Sequence, residues 1–192
     1  MASAHGIRAV LLDAMGTLVE LERPWPLLVA QLAHRGVAVD EATARRALRA
    51  EIAFYRAEHH VARDRAALSG LRDRCTTVLH DALGPVAAGL PHAEVRGALL
   101  AALRFRPFAE VPGVLGELRA AGLAVVVVSN WDVSLYEVLT QTGLDLLVDG
   151  AVTSAEHGVA KPDPSIFAAG LALAGAAPDE ALHVGDSLPD DV

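Results

Sequence analysis

Asp13, the pair Ser129-Asn130, Lys161 and the acidic group Asp186, Asp190 and Asp191 are the residues of this 192-residue chain whose types add up to a reaction. A carboxylate nucleophile, a hydroxyl donor, a cation and a second set of carboxylates are the parts needed to transfer a phosphoryl group to Asp with the help of Mg²⁺. Lys161 is the only lysine, against fifteen arginines. The chain uses Arg wherever a surface cation will do. A compact, rotatable ammonium is kept only in the loop that would neutralise a bound phosphate and the nucleophile.

Each of these residues closes an apolar run or follows one. Five of the six residues from Ile7 to Leu12 are apolar, and the run ends at Asp13 before a Gly-Thr turn, the pattern of a buried parallel strand. Taken alone, Asp13 reads equally as an aspartate closing a strand before a turn. Three later stretches decide between the readings. Leu123–Asn130 is a second buried strand ending in Ser129-Asn130, a short third lies near Ala151–Thr153 ahead of the Lys161 loop, and Ala181–Val184 is a fourth that runs into Asp186. Helical segments separate them: one from Pro112 to Gly122, one capped by Asp132 and running to Gly143, and one from Asp163-Pro164 to about Gly175. Strands alternating with helices predict a doubly wound parallel α/β sheet, in which all four strand ends fall on one edge.

Between the first strand and the rest, the periodicity is helical. Segments over about Pro26–His34, Asp40 to beyond Tyr55, Arg63–Leu83 and His92–Leu103 are punctuated by Gly and Pro, so residues 20–107 read as an all-helical insertion. Residues 1–19 and 108–192 then form the α/β part. Apolar residues are 53% of the chain, enough for a core. The net charge of −8 argues against a nucleic-acid surface and agrees with a cytoplasmic protein. The single cysteine, Cys75, sits in a helical pattern and reads as a small buried apolar residue in a reducing compartment. The start, MASAHGIR, has no secretory-signal pattern, and no apolar run approaches a membrane span.

The four strand-end motifs, Asp13 in DxxGTL, Ser129-Asn130 in VVSN, Lys161 in KPDP and Asp186 in GDSLPDD, resemble those of the haloacid dehalogenase-like hydrolase superfamily, over essentially the whole chain. The helical segment is similar in position to the family's cap, which closes over the site, excludes water and selects substrate. The resemblance implies that Asp13 attacks phosphorus and becomes an aspartyl-phosphate. Ser129 and Lys161 would hold the phosphoryl oxygens, Asn130 would shape the site, and Thr17 would hydrogen-bond in the turn or against substrate. It further implies Mg²⁺ bound by Asp13, the Met15 backbone carbonyl and Asp186, supported by Asp190, and a small phosphorylated substrate.

Met15 departs from the commonest first motif, DxDGT, whose second Asp protonates the leaving group. A thioether cannot, and such help is typically worth ~10²–10⁴-fold. The chain is therefore expected to bind Mg²⁺ and phosphate but to hydrolyse alkyl phosphates poorly. Two alternatives stay open: a 2-haloacid dehalogenase, whose halide leaving group needs no proton, and a phosphate-binding member without turnover. The dehalogenases use no metal and lack the carboxylates that Asp186 and Asp190 provide. In the helical segment Tyr55, Arg56, His59, His60 and Arg63 gather without naming a substrate. The family continues beyond its fourth motif with a helix and at least one strand, so the end at Val192 carries the expectation of a missing carboxyl-terminal part.

Overall fold

A computed structural model of the chain describes residues 6–191. The reading of the amino terminus rests on residues 1–5, which lie outside the described residues, as does Val192. Four apolar runs form one parallel sheet: β1 (Ala9–Leu12), β4 (Ala124–Ser129), β5 (Gly150–Thr153) and β6 (Ala181–Val184), in the order β5-β4-β1-β6. Leu12 stands beside Val127 on one side and Val184 on the other, and Ser129 beside Thr153. The strand ends therefore align.

Successive strand residues face opposite ways, and both faces of this sheet are covered. Val10, Leu12, Val125 and Val127 pack with Val111 and Leu115 of α5 (Val111–Ala120) and with Leu135, Val138 and Leu139 of α6 (Leu135–Thr142). The short α7 (Ser154–His157) follows β5, and Leu11, Val126 and Val128 pack with Ile166 of α8 (Pro164–Ala174) on the other face. This is the doubly wound arrangement that the alternating pattern predicts. Asp132 does not cap α6 directly. Its Oδ1 accepts from the Ser134 N–H at 2.6 Å, and the helix begins one residue later.

Contacts divide the described chain into one unit that runs to Glu20 and resumes at Phe105, and a second, Leu21–Arg104. The second is built of α1 (Pro24–Ala33), α2 (Glu41–Glu58), α3 (Arg65–Leu83) and α4 (His92–Ala102). Asp40 and Asp64 cap α2 and α3 by accepting from Thr43 N–H at 2.6 Å and Ala67 N–H at 2.8 Å. The margins of the insertion are not helical. β2 (Val19–Leu21) pairs with β3 (Phe105–Pro107), and Glu20 meets Arg106 at 2.7 Å. Three-residue strands are too short to show an alternating pattern, so the all-helical reading of residues 20–107 missed them.

The buried stripe of α2 is Ala44, Ala47, Leu48 and Glu51, at helical spacing. Glu51 thus stands where an apolar residue belongs, 3% exposed and hydrogen-bonded to Cys75 in the buried stripe of α3. Cys75 is buried and in no disulfide, as expected, though its neighbour is polar. Burial raises the Glu51 carboxyl from 4.5 to about 7, against the opposing hydrogen bond from Cys75. Between those pH values the folded chain holds a proton that the unfolded chain has lost. The contribution is complete below pH 4.5 and is lost as pH rises through 7, by up to about 3 kcal/mol. Glu51→Gln is expected to remove that part of the pH dependence and to be more stable than the parent at pH 8. Urea unfolding of both proteins from pH 4 to 8 checks this, and parallel stability curves would refute it.

Candidate active site

Asp13 follows β1 directly and is 7% exposed, with its backbone N–H donating to the Val184 carbonyl of β6 at 2.9 Å. Its Oδ1 accepts from Lys161 Nζ at 2.7 Å and from Ser129 Oγ at 3.0 Å. Ser129 is the last residue of β4, the strand beside β1, which explains how a partner 116 positions away meets it. Lys161 is 4% exposed, and its ammonium also donates to Asp191 Oδ1 at 2.5 Å. The chain's one lysine therefore sits between two carboxylates.

Asn130 acts one step behind the charges. Its Oδ1 accepts from the Lys161 N–H at 2.7 Å and its Nδ2 donates to the Lys161 carbonyl at 3.1 Å. Both polar groups of the amide are thus spent on the backbone that carries the lysine. In the first turn the Ala14 carbonyl accepts from the Leu18 and Val19 N–H groups, at 2.8 and 2.9 Å, and Gly16 N–H donates to the Val19 carbonyl at 2.9 Å. The Met15 carbonyl takes none of these turn bonds, and the Met15 residue is 40% exposed. Gly16 has φ +88°, and a Cβ there would fall 2.2 Å from Asp186 Oδ2. Only glycine lets this turn come so close to a carboxylate. Thr17 differs from its expected place in a turn hydrogen bond: its buried Oγ1 has no partner among the described residues, and only its backbone N–H reaches the Ala14 carbonyl, at 3.4 Å.

Asp13, Asp186 and Asp191 can each present a carboxylate oxygen within 4.8 Å of the others. Hard oxygen donors at that spacing suit Mg²⁺, and three carboxylates exceed the charge of the single ammonium beside them, so the donor set fits a divalent cation. Asp190, expected to support the metal, is instead turned to Ser187, whose Oγ donates to Asp190 Oδ2 at 2.8 Å. Asp190 and Asp191 both lie in α9 (Leu188–Asp191), a single helical turn in which neighbours point about 100° apart, and it is Asp191 that reaches Lys161. Spacing in sequence does not give the phase of that turn.

Burial would raise the Asp191 carboxyl, but hydrogen bonds from His183, Lys161 and the Ser187 N–H outweigh it and hold the group below the usual carboxylate range. His183 was not among the residues the sequence singled out. It lies on β6 with Nε2 2.9 Å from Asp191 Oδ1. The signal available was a histidine inside an otherwise apolar strand, two positions before a metal-type motif. In the helical unit, Tyr55 and His59 have ring centroids 5.7 Å apart and His59 Nδ1 is bonded to the Arg56 carbonyl at 3.1 Å.

A buried aspartate thus closes the first strand of the parallel sheet, bonded to Ser129 at the end of β4 and to Lys161 in the loop beyond β5, with Asp186 and Asp191 close by. The chain belongs to the haloacid dehalogenase-like hydrolases, whose family profile matches residues 7–192. It is 34% identical over 201 residues to mouse haloacid dehalogenase-like hydrolase domain-containing protein 3, covering 97% of this chain and 77% of that protein. It is 37% identical over 90 residues to a phosphoserine phosphatase of Thermus thermophilus, covering 46% of this chain and 36% of that one. Among solved structures, a phosphatase of the same family from Thermococcus onnurineus shares the fold with a TM-score of 0.60 at 24% identity, over 97% of this chain and 80% of that one. L-2-haloacid dehalogenases share the fold to a similar degree.

Proposed function

We propose that this chain is a Mg²⁺-dependent phosphatase that acts on small phosphorylated substrates through an aspartyl-phosphate on Asp13. The observation that carries this reading is the excess of carboxylate at the site: Asp13, Asp186 and Asp191 against Lys161 alone. An anionic phosphate meets strong repulsion there unless a divalent cation is bound. Asp13, Asp186 and the Met15 carbonyl would hold Mg²⁺, with Asp191 beside them, and the ion would supply positive charge to the phosphoryl oxygens. An Asp13 oxygen attacks phosphorus as the ester P–O bond breaks. Lys161 and Ser129 donate to the phosphoryl oxygens and keep the nucleophile in line. Met15 gives the departing oxygen no proton, so the leaving group takes one from water. Water then attacks the aspartyl-phosphate, releasing inorganic phosphate and restoring the Asp13 carboxylate. The helical unit, residues 21–104, takes the part of the family's cap.

Met15 is the observation that favours a second reading, a 2-haloacid dehalogenase, because halide leaves without a proton. A screen of aryl, acyl and alkyl phosphates beside 2-chloropropionate, each with Mg²⁺ and with chelator, separates the two. Phosphate release that chelator abolishes is the expected result. Metal-independent chloride release with no phosphate release would overturn the phosphatase reading in favour of the second.

A further inference from the structure

We infer that His183 is a positioning residue for Lys161, acting through Asp191. Lys161 Nζ touches two carboxylates, so its place in the site is set by where those carboxylates are held. Asp13 is fixed at the end of β1 by its own backbone bond to β6 and by Ser129. Asp191 stands in a four-residue helical turn, its backbone N–H bonded to the Ser187 carbonyl at 2.8 Å, and the place of its side chain is set by that side chain's own partners. It is steadied by donors from three segments. Lys161 Nζ and His183 Nε2 both reach Oδ1, and the Ser187 N–H donates to Oδ2 at 3.0 Å.

A carboxylate only accepts, so Nε2 carries the hydrogen and donates. The other ring nitrogen, Nδ1, is buried without a partner among the described residues. The hydrogen bonding of the His183 ring is therefore spent on Asp191. The ring itself is held by Phe167 of α8, edge to face, with centroids 4.9 Å apart. The carboxylate is also seated against the backbone: a Cβ on Gly185 would fall 2.1 Å from the Asp191 side chain. With His183 absent, Asp191 is free to change rotamer, and the ammonium is left to Asp13 alone. It then masks the carboxylate that the reaction needs free. This consequence for turnover rests on the function proposed above, whereas the contact does not.

The single lysine makes the test direct, because any lysine signal reports Lys161. Two variants separate a hydrogen bond from mere packing. His183→Gln keeps an N–H donor of similar reach and loses the ring, and His183→Phe keeps the ring and loses the donor. The readouts are the position of the one lysine resonance in protein labelled with ¹³Cε-lysine, and the rate at which an N-hydroxysuccinimide ester acylates Lys161 relative to the α-amine. The Phe variant is expected to move the resonance toward that of free lysine and to speed acylation about tenfold, the usual weight of a hydrogen bond to a charged group. The Gln variant is expected to match the parent, with melting curves confirming the fold of both. A resonance and rate unchanged in the Phe variant overturn the inference. So does a tenfold rise in the Gln variant, which decides the matter even if the Phe variant does not fold. A parent protein inactive on every phosphate ester overturns the proposed function instead, and leaves the lysine readouts valid.

Discussion

Asp13→Asn is expected to lower hydrolysis of an aryl phosphate by about 10³-fold or more, with the melting temperature hardly changed. The two halves of this expectation come from different parts of the site. An amide oxygen is not a competent nucleophile and is a poor partner for a divalent cation, so both bond-making and charge balance suffer. Its shape, however, is that of the carboxylate. An amide Oδ1 can still accept from Ser129 Oγ and Lys161 Nζ, which now lie 3.0 and 2.7 Å from Asp13 Oδ1. Lys161 also keeps Asp191, so no buried ammonium is stranded, and one of three crowded negative charges is removed. Initial rates with saturating Mg²⁺, measured beside thermal melts, check both halves. Activity above a tenth of the parent's would exclude Asp13 as the nucleophile.

Met15→Asp should raise hydrolysis of alkyl phosphates on the order of 10²-fold, the usual yield of general acid–base help, while changing aryl phosphates much less. In the parent the leaving oxygen departs without a proton, so the rate follows the leaving group's own acidity. Water also attacks the aspartyl-phosphate without a base, and the intermediate should accumulate as a burst. A carboxylate at position 15 would supply the proton and then the base. Met15 is 40% exposed, so the new charge loses little solvation, and its backbone carbonyl remains free of the turn bonds. The opposing effect is one more carboxylate near Asp13 and Asp186, which raises a pKa and calls for more Mg²⁺. Rates for both ester classes across a Mg²⁺ range separate these effects. A parent that already handles both classes equally would mean that another residue is the acid.

Much of the α/β unit was legible because buried parallel strands leave continuous apolar runs, and Ala181–Val184 was placed to the residue. The polar residues ending those runs named Asp13, Ser129, Lys161 and Asp186 for the same reason, since a strand's own pattern does not call for them. What escaped was information that sequence spacing does not hold. The phase of one helical turn points Asp190 to Ser187 and Asp191 to Lys161. Whether a half-buried amide faces substrate or backbone decided the place of Asn130. His183 lay hidden because a histidine inside a strand is usually no more than packing, and only a neighbour eight positions away gives it a task. The ribbon of β2 and β3 was too short for any periodicity to announce it.

The register of β1 also bears on how the protein is made. Leu12 is translated early, yet its two neighbours in the sheet are Val127 and Val184. A ribosome therefore releases the first strand, with its aspartate, long before either flanking strand exists. The α1–α4 segment comes next and has local contacts to fold on, which form quickly, while β1 waits for partners over a hundred residues downstream. No early intermediate can gather Asp13, Lys161 and Asp191. Asp13 and Lys161 first meet only after residue 161 has been made, and affinity for a divalent cation would serve as a signal that β6 has docked.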